Sequence, residues 1–151
     1  MIRQYSIEDT DKLIALLDQN IPRYFDPSEK LDYISYLKNE IEDYFVFEVN
    51  NEIIGCGGIN YDIENKKARI SWDIIHPNHH GRGIGKQLVN HRIELIKSNR
   101  NIDTIIVRTS QLAFKFYQKL GFQTDSITND FWAKGFDLYL MSLNINKHRE
   151  H

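Results

Sequence analysis

Three glycines, at 81, 83 and 85, stand in the run His76-Pro77-Asn78-His79-His80-Gly81-Arg82-Gly83-Ile84-Gly85-Lys86. Lacking a Cβ, glycine lets a backbone turn tightly and come close to a ligand. The residues after the run carry a helical apolar pattern, so the run opens a helix. A helix start offers unpaired N–H groups and the positive end of the helix dipole. Together these make an anion site suited to a diphosphate, to which Arg82 and Lys86 add charge. Spacing excludes two better-known phosphate loops. A dinucleotide Gly-x-Gly-x-x-Gly begun at Gly81 would need glycine where Lys86 stands, and begun at Gly83 where Leu88 stands. A Walker loop ending at Gly85-Lys86 needs glycine at 80 and Ser or Thr at 87, positions held by His80 and Gln87.

Other reactive side chains give weaker signals. His76, His79 and His80 share a loop but have no acid or cysteine at ligand spacing, so no metal is expected. Cys56 is the only cysteine, which excludes an intrachain disulfide and a multi-cysteine zinc site. Its setting, Gly55-Cys56-Gly57-Gly58, lies within a strand pattern and predicts a bulge or a close approach, with Cys56 as a small buried residue. Tyr117 falls on the stripe Ala113, Phe116, Tyr117 and Leu120, so its periodicity is that of a core aromatic.

The elements that position these residues follow from period and punctuation. Ile2 to Tyr5 reads as a first strand. Ser6 and Asp9 resemble a capping box before a helix with Leu13, Leu16 and Leu17 on its stripe, running to about Asn20. Asp26-Pro27-Ser28-Glu29 supplies an N-cap, a proline at the first helical position and an acid three residues after the cap; Ile34, Leu37 and Ile41 give that helix its expected buried face. Tyr44–Val49 is a strand, with Asn50-Asn51 turning into Ile53-Ile54-Gly55. Another turn at Asn65-Lys66-Lys67 leads to Arg69–Ile75. Strict alternation there places Ile70, Trp72 and Ile74 on one face and Arg69, Ser71 and Asp73 on the other. Past the glycines Ile84, Leu88, Val89, Ile93, Leu95 and Ile96 form a long amphipathic helix. Ile105-Ile106-Val107 is a buried strand, and Gly121 stops the helix of Tyr117. Two last strands, near 122–131 and 136–143, are joined through Ala133-Lys134-Gly135. The expected fold is α/β (α+β): a mixed, mostly antiparallel central sheet of about seven strands with helices on both faces.

A chain of 151 residues without repeat, linker or composition break reads as one domain over 1–146, followed by a charged tail at 147–151. Hydrophobic residues at 41% and charged residues at 26% suit a soluble globular protein. A net charge of −2 argues against a nucleic-acid partner and slightly favours a cationic substrate. No stretch approaches the roughly 20 apolar residues of a membrane span, nor is there a basic-then-apolar leader pattern, so a cytoplasmic location is expected.

The run Ile75-His76-Pro77-Asn78-His79-His80-Gly81-Arg82-Gly83-Ile84-Gly85 resembles the signature of the GNAT superfamily of N-acetyltransferases: Arg/Gln-x-x-Gly-x-Gly/Ala after a strand ending Val/Ile-x-Pro. A second segment, Ala113-Phe114-Lys115-Phe116-Tyr117-Gln118-Lys119-Leu120-Gly121-Phe122, is similar to that family's Ala-x-x-x-Tyr-x-x-x-Gly-Phe block. The likeness covers the whole element order and is strongest from Arg69 to Phe122. It implies a GNAT fold and direct transfer of acetyl from acetyl-CoA to a primary amine of a small molecule or peptide, through a tetrahedral intermediate. It further implies the CoA pyrophosphate on His80, Gly81, Arg82, Gly83, Ile84, Gly85 and Lys86, and pantetheine paired with backbone at Asp73, Ile74 and Ile75 like an added strand, in a slot where two strands splay after Ile75. The N–H of Ile74 or Ile75 becomes the oxyanion donor, and Ser110 and Phe116 border the cofactor. Tyr117 matches the tyrosine that protonates the CoA thiolate. The family's strand glutamate matches Arg69 or Ser71, neither a carboxylate, which leaves Asp73 or solvent as the base. Tyr24, Phe25 and Trp132, with Phe131, match the acceptor wall. A homodimer is compatible with the likeness. The missing strand carboxylates keep open a second reading, a non-catalytic acyl-CoA sensor or interaction module of the same fold. Two departures stand out: His80 replaces the usual Arg or Gln, and Ser110 the frequent Asn.

Overall fold

The computed structural model describes residues 1–146, and the tail expected at 147–151 lies outside the described residues. Strands β1 (Ile2–Gln4), β2 (Asp43–Val49), β3 (Glu52–Asp62), β4 (Lys67–Ile75), β5 (Thr104–Thr109), β6 (Gln123–Ala133) and β7 (Phe136–Asn144) form one sheet in the order β1-β2-β3-β4-β5-β7-β6. Helices α1 (Thr10–Asp18), α2 (Glu29–Ser35), α3 (Ile84–Lys97) and α4 (Phe114–Lys119) cover it. Every pairing is antiparallel except β4 with β5. The crossover between those two parallel strands is made by α3, as a parallel pair requires.

Two apolar layers hold the sheet. On one face Ile70, Leu88, Val89, Ile93, Ile105, Val107 and Tyr117 pack together. On the other, Leu13 and Leu17 of α1 meet Tyr33, Tyr36, Tyr44, Val46, Cys56 and Ile74. Helix α2 starts later than its proline, at Glu29, because Asp26 Oδ2 accepts the Ser28 N–H and Glu29 Oε2 accepts the Asp26 N–H, which makes a separate cap turn. After Ser35 the helix widens into a π turn over Tyr36–Glu40. The buried apolar residues are then Tyr33, Tyr36 and Leu37, with Ile34 and Ile41 only half-buried. Both phenols are satisfied inside, Tyr33 Oη lying 2.8 Å from Tyr44 Oη and Tyr36 Oη donating to Asn60 Oδ1 at 2.8 Å. On α3 the expected stripe also shifts. Leu95 is 42% exposed, while Arg92 is fully buried.

The alternation expected along β4 breaks at Trp72. Cys56 faces Ile74 but Gly58 faces Ser71, so Trp72 and Asp73 together oppose the single residue Gly57. This is a β-bulge, and Trp72 carries its left-handed backbone, with φ 51°. An extra residue reverses the facing of everything beyond it. Ile70 therefore packs on the α3 face, whereas Trp72 and Ile74 pack on the α1–α2 face. Asp73 turns away from Arg69 and Ser71, toward α3.

Candidate active site

The glycine run forms the junction between β4 and α3. Gly81 and Gly83 have φ of 77° and 80°, a left-handed conformation that a side chain strains, and open space lies where each Cβ would project. Gly83 caps α3, a 14-residue helix whose first N–H groups receive no side-chain cap from it. Gly85 has a different reason: a Cβ there would stand 3.2 Å from Phe116 Cζ. Its absence lets the first turn of α3 pack on α4, which draws the loop and Tyr117 into one site. Arg82 and Lys86 are exposed beside the loop. These residues fit a diphosphate through backbone donors and two exposed cations.

The His80 side chain is engaged within the protein. Its Nε2 lies 2.9 Å from the Ile75 carbonyl oxygen, and its ring sits edge-on to Tyr24 with centroids 4.6 Å apart. One lone pair of the Ile75 carbonyl, expected to serve pantetheine, is thus engaged from within. Ser110 Oγ accepts the Leu112 N–H, and Ser110 O accepts from both Ala113 and Phe114, so this residue shapes the entry into α4.

The slot opens earlier than expected. β4 and β5 pair only from Lys67↔Thr104 to Ile70↔Val107, although both strands continue. The splay therefore begins at Ser71 rather than after Ile75, and the bulge at Trp72 sits at its apex. Asp73, Ile74 and Ile75 lie along the β4 side of the opening.

Beneath it three polar groups converge. The Tyr117 hydroxyl donates a short hydrogen bond to Asp73 Oδ2. Asp73 Oδ1 forms an ion pair with Arg92 Nη1 at 2.6 Å. Burial, followed by the adjacent Asp73 charge, pushes the Tyr117 phenol well above its ordinary range, so it stays protonated. Arg92 stays charged, held by Asp73 against the opposing effect of its burial. Helical period alone gave no reason to single out Arg92. The usable signal was a lone cation on an otherwise apolar stripe between Leu88, Val89, Ile93 and Ile96.

The aromatic residues assigned to the acceptor wall flank the splay on two sides. Phe25 stacks on Trp72 at 6.2 Å, while Tyr24 turns to His80 instead. Across the opening Trp132 Nε1 donates to the Thr109 carbonyl at 3.2 Å, and Arg108 lies over the rings of Phe131 and Trp132 at 5.1 and 5.4 Å. Arg69 donates to Ser71 Oγ, and its charge lowers the Arg108 pKa, after burial as the larger cause. Neither arginine has a carboxylate partner among the described residues. Two arginines without a carboxylate partner thus stand on this side of the opening. Cys56 is fully buried, and burial raises its thiol to about 11, which leaves no reactive thiolate at neutral pH. A surface hollow of about 540 Å³ lies elsewhere, against Ile2, Arg3, Phe45, Tyr61, His91 and Leu95; it contains none of the groups above.

A strand that splays from its parallel neighbour, a glycine loop capping the next helix and a buried tyrosine on the helix after it are the features expected from the likeness to N-acetyltransferases. A family model described as an acetyltransferase (GNAT) domain matches residues 40–124, just over half of the chain. The chain belongs to the GNAT acetyltransferase family, enzymes that move acetyl from acetyl-CoA to an amine. An N-alpha-acetyltransferase of Sulfurisphaera tokodaii is 27% identical, over 93% of this chain and 90% of that one. Among solved structures, an aminoglycoside 6'-N-acetyltransferase complexed with coenzyme A superposes with a TM-score of 0.76 at 16% identity, covering 96% of this chain and 97% of that one. An N-acetyltransferase from Staphylococcus aureus Mu50 gives 0.75 at 21% identity, with 96% and 98% covered. No helix among the described residues is long and apolar enough to cross a membrane.

Proposed function

We propose that this enzyme, a single domain over 1–146, acetylates a primary amine, with an α-amino group of a peptide as the favoured acceptor, by direct attack on the acetyl-CoA thioester in the splay between β4 and β5. The observation that carries the reading is the buried Tyr117 hydroxyl held on Asp73 beside that splay. The likeness to N-alpha-acetyltransferases over nearly the whole chain supports the peptide acceptor. When bound, acetyl-CoA supplies the activated acyl group and a thiolate leaving group.

The chain's own residues have distinct parts. Gly81, Gly83 and the start of α3 hold the diphosphate, with Arg82 and Lys86 adding charge. The N–H of Ile74 or Ile75 stabilises the oxyanion, a role in which fixed backbone donors are effective. Tyr117 gives its proton to the departing thiolate. Asp73 faces α3 and is engaged by Tyr117 and Arg92, which makes it the partner of the acid rather than a base. The acceptor ammonium then loses its proton to solvent. Phe25, Trp72 and Trp132 border the acceptor, and Tyr24 closes the cofactor loop.

The test is CoA release, followed with a thiol reagent, from acetyl-CoA and a panel of tripeptides, spermidine and amino sugars. Turnover with tripeptides, lost by about 100-fold in Tyr117→Phe with acetyl-CoA affinity kept, is expected for one missing general acid. CoA binding without release for any amine would favour instead the sensor reading, which the absence of a strand carboxylate at Arg69 and Ser71 motivates.

A further inference from the structure

Arg92 is the largest fully buried side chain of the described residues, and it is a cation. It crosses from α3 to the sheet. Its Nε donates to the Leu88 carbonyl at 3.0 Å and its Nη1 to the Gly58 carbonyl at 3.0 Å, while Nη1 also stands 2.6 Å from Asp73 Oδ1. That last contact is ionic, without an aligned hydrogen bond: Asp73 Oδ1 and Arg92 Nη2 are buried and neither has a hydrogen-bond partner among the described residues. Packing alone does not account for it, since an apolar pair of similar size avoids the desolvation that buried charges bring. Gly57, opposite the bulge, leaves room for the pair, for a Cβ there would fall 2.7 Å from Arg92 Cζ.

The chemistry assigned to Tyr117 supplies a reason. In giving up its proton, the Tyr117 O–H bond breaks, its electron pair stays on the phenol oxygen, and an S–H bond forms on CoA. The oxygen then recovers a proton from solvent, which has received one from the acceptor. In the interval a phenolate stands against the Asp73 carboxylate, two anions in contact inside the protein. The charged groups facing this oxygen are Asp73 from β4 and Arg92 from α3. Cys56 and Tyr44, which also sense the pair, are buried with thiol and phenol neutral.

We propose that Arg92 is a positioning residue for acetyl transfer: through Asp73 it fixes the Tyr117 hydroxyl, and its charge offsets the anion formed when that hydroxyl protonates the CoA thiolate. This rests on Tyr117 being the proton donor. In keeping with it, Arg92 pulls the phenol down while burial and Asp73 push it up.

The experiment compares Tyr117→Phe, Arg92→Gln, Arg92→Lys and the double variant Asp73→Asn with Arg92→Gln, using acetyl-CoA and the best tripeptide of the panel. Folding is checked by thermal melting. Arg92→Gln is expected to lose about 100-fold in kcat, the scale of one general acid, with the KM for acetyl-CoA changed less than about threefold. Arg92→Lys, which keeps the charge, should recover to within about tenfold of the parent. The double variant has no carboxylate facing the phenolate, so it should recover similarly, and it serves where Arg92→Gln fails to fold. Equal losses in the Gln and Lys variants, or a folded but inactive double variant, would overturn the proposal. If no tripeptide is turned over, [13Cζ]tyrosine NMR carries the test. The resonance that disappears in Tyr117→Phe should ionise at lower pH in Asp73→Asn and at higher pH in Arg92→Gln; no change in either would overturn it. Should Tyr117→Phe keep full kcat, the donor reading falls and takes this inference with it. Should it lose kcat while Arg92→Gln does not, this inference alone falls.

Discussion

Gly57 lies directly under Arg92: a Cβ built on it would stand 2.7 Å from both the guanidinium carbon and Nη1. Neither neighbour is free to retreat, because Arg92 is hydrogen-bonded to Leu88 and Gly58 and paired with Asp73. Gly57→Ala is therefore expected to destabilise the protein by about 2–3 kcal/mol, as overpacking of a fixed interior does. It should also lower kcat more than the KM for acetyl-CoA, because the displaced pair carries Tyr117. Denaturant unfolding together with steady-state kinetics measures both.

The clamp made by His80 gives a second expectation. Its ring meets Tyr24 of the α1–α2 connection and its Nε2 meets Ile75 O, so it ties the cofactor loop to two elements at once. An edge-on aromatic contact and a hydrogen bond are each worth about 1 kcal/mol, so His80→Ala should weaken acetyl-CoA binding by up to about 30-fold. His80→Gln keeps a group able to reach Ile75 O and should lose less. Isothermal titration with CoA distinguishes them, and equal affinity for all three proteins would refute the clamp.

Gly83 holds a left-handed backbone at the cap of α3. At φ 80° an alanine costs about 1–2 kcal/mol, while nothing within 4 Å obstructs its Cβ. The loop can relieve that strain only by moving away from the shape proposed to hold the diphosphate. Gly83→Ala should then raise the KM for acetyl-CoA about tenfold with little change in kcat, and Gly83→Asn, better tolerated in this region, should fall between.

Much of this architecture was legible in advance because its signals are local. The glycine loop and the helix after it are written in consecutive residues, and the seven-strand sheet follows from period and turns. The bulge at Trp72 was not legible, for it is set by what stands across β3, where Gly57 must oppose two residues. Missing it reversed the facing of Asp73 and so gave it the wrong company. Arg92 was hidden for a related reason: a period of 3.6 shows that a residue faces inward, and composition rules then discount a cation there. Tyr33 and Tyr36 were passed over in favour of Ile34 because a phenol's burial depends on partners far along the chain, here Tyr44 and Asn60. The splay of β4 from β5 at Ser71 is likewise a property of two strands and of neither alone.

Glu29, bonded to Asp26 in the cap turn that follows Phe25, predicts how stability depends on pH. Burial raises this carboxyl to about 7, with Asp26 and Asp32 adding to the shift and the hydrogen bond from the Asp26 N–H opposing it. A carboxyl raised in the native state binds its proton there over a range in which the unfolded chain has released it. From about pH 4.5 to about 7 the native state thus holds more protons, and stability falls as pH rises. Above that window the cost is complete and flat. Asp9, Asp26 and Glu48 are shifted the other way, so their contributions change only at lower pH. The melting temperature of Glu29→Gln, minus that of the parent, should accordingly climb from pH 5 to pH 7.5 and then level, since glutamine keeps an oxygen for the Asp26 N–H and carries no charge. A difference that is constant across this range would show that Glu29 ionises as an ordinary exposed carboxylate.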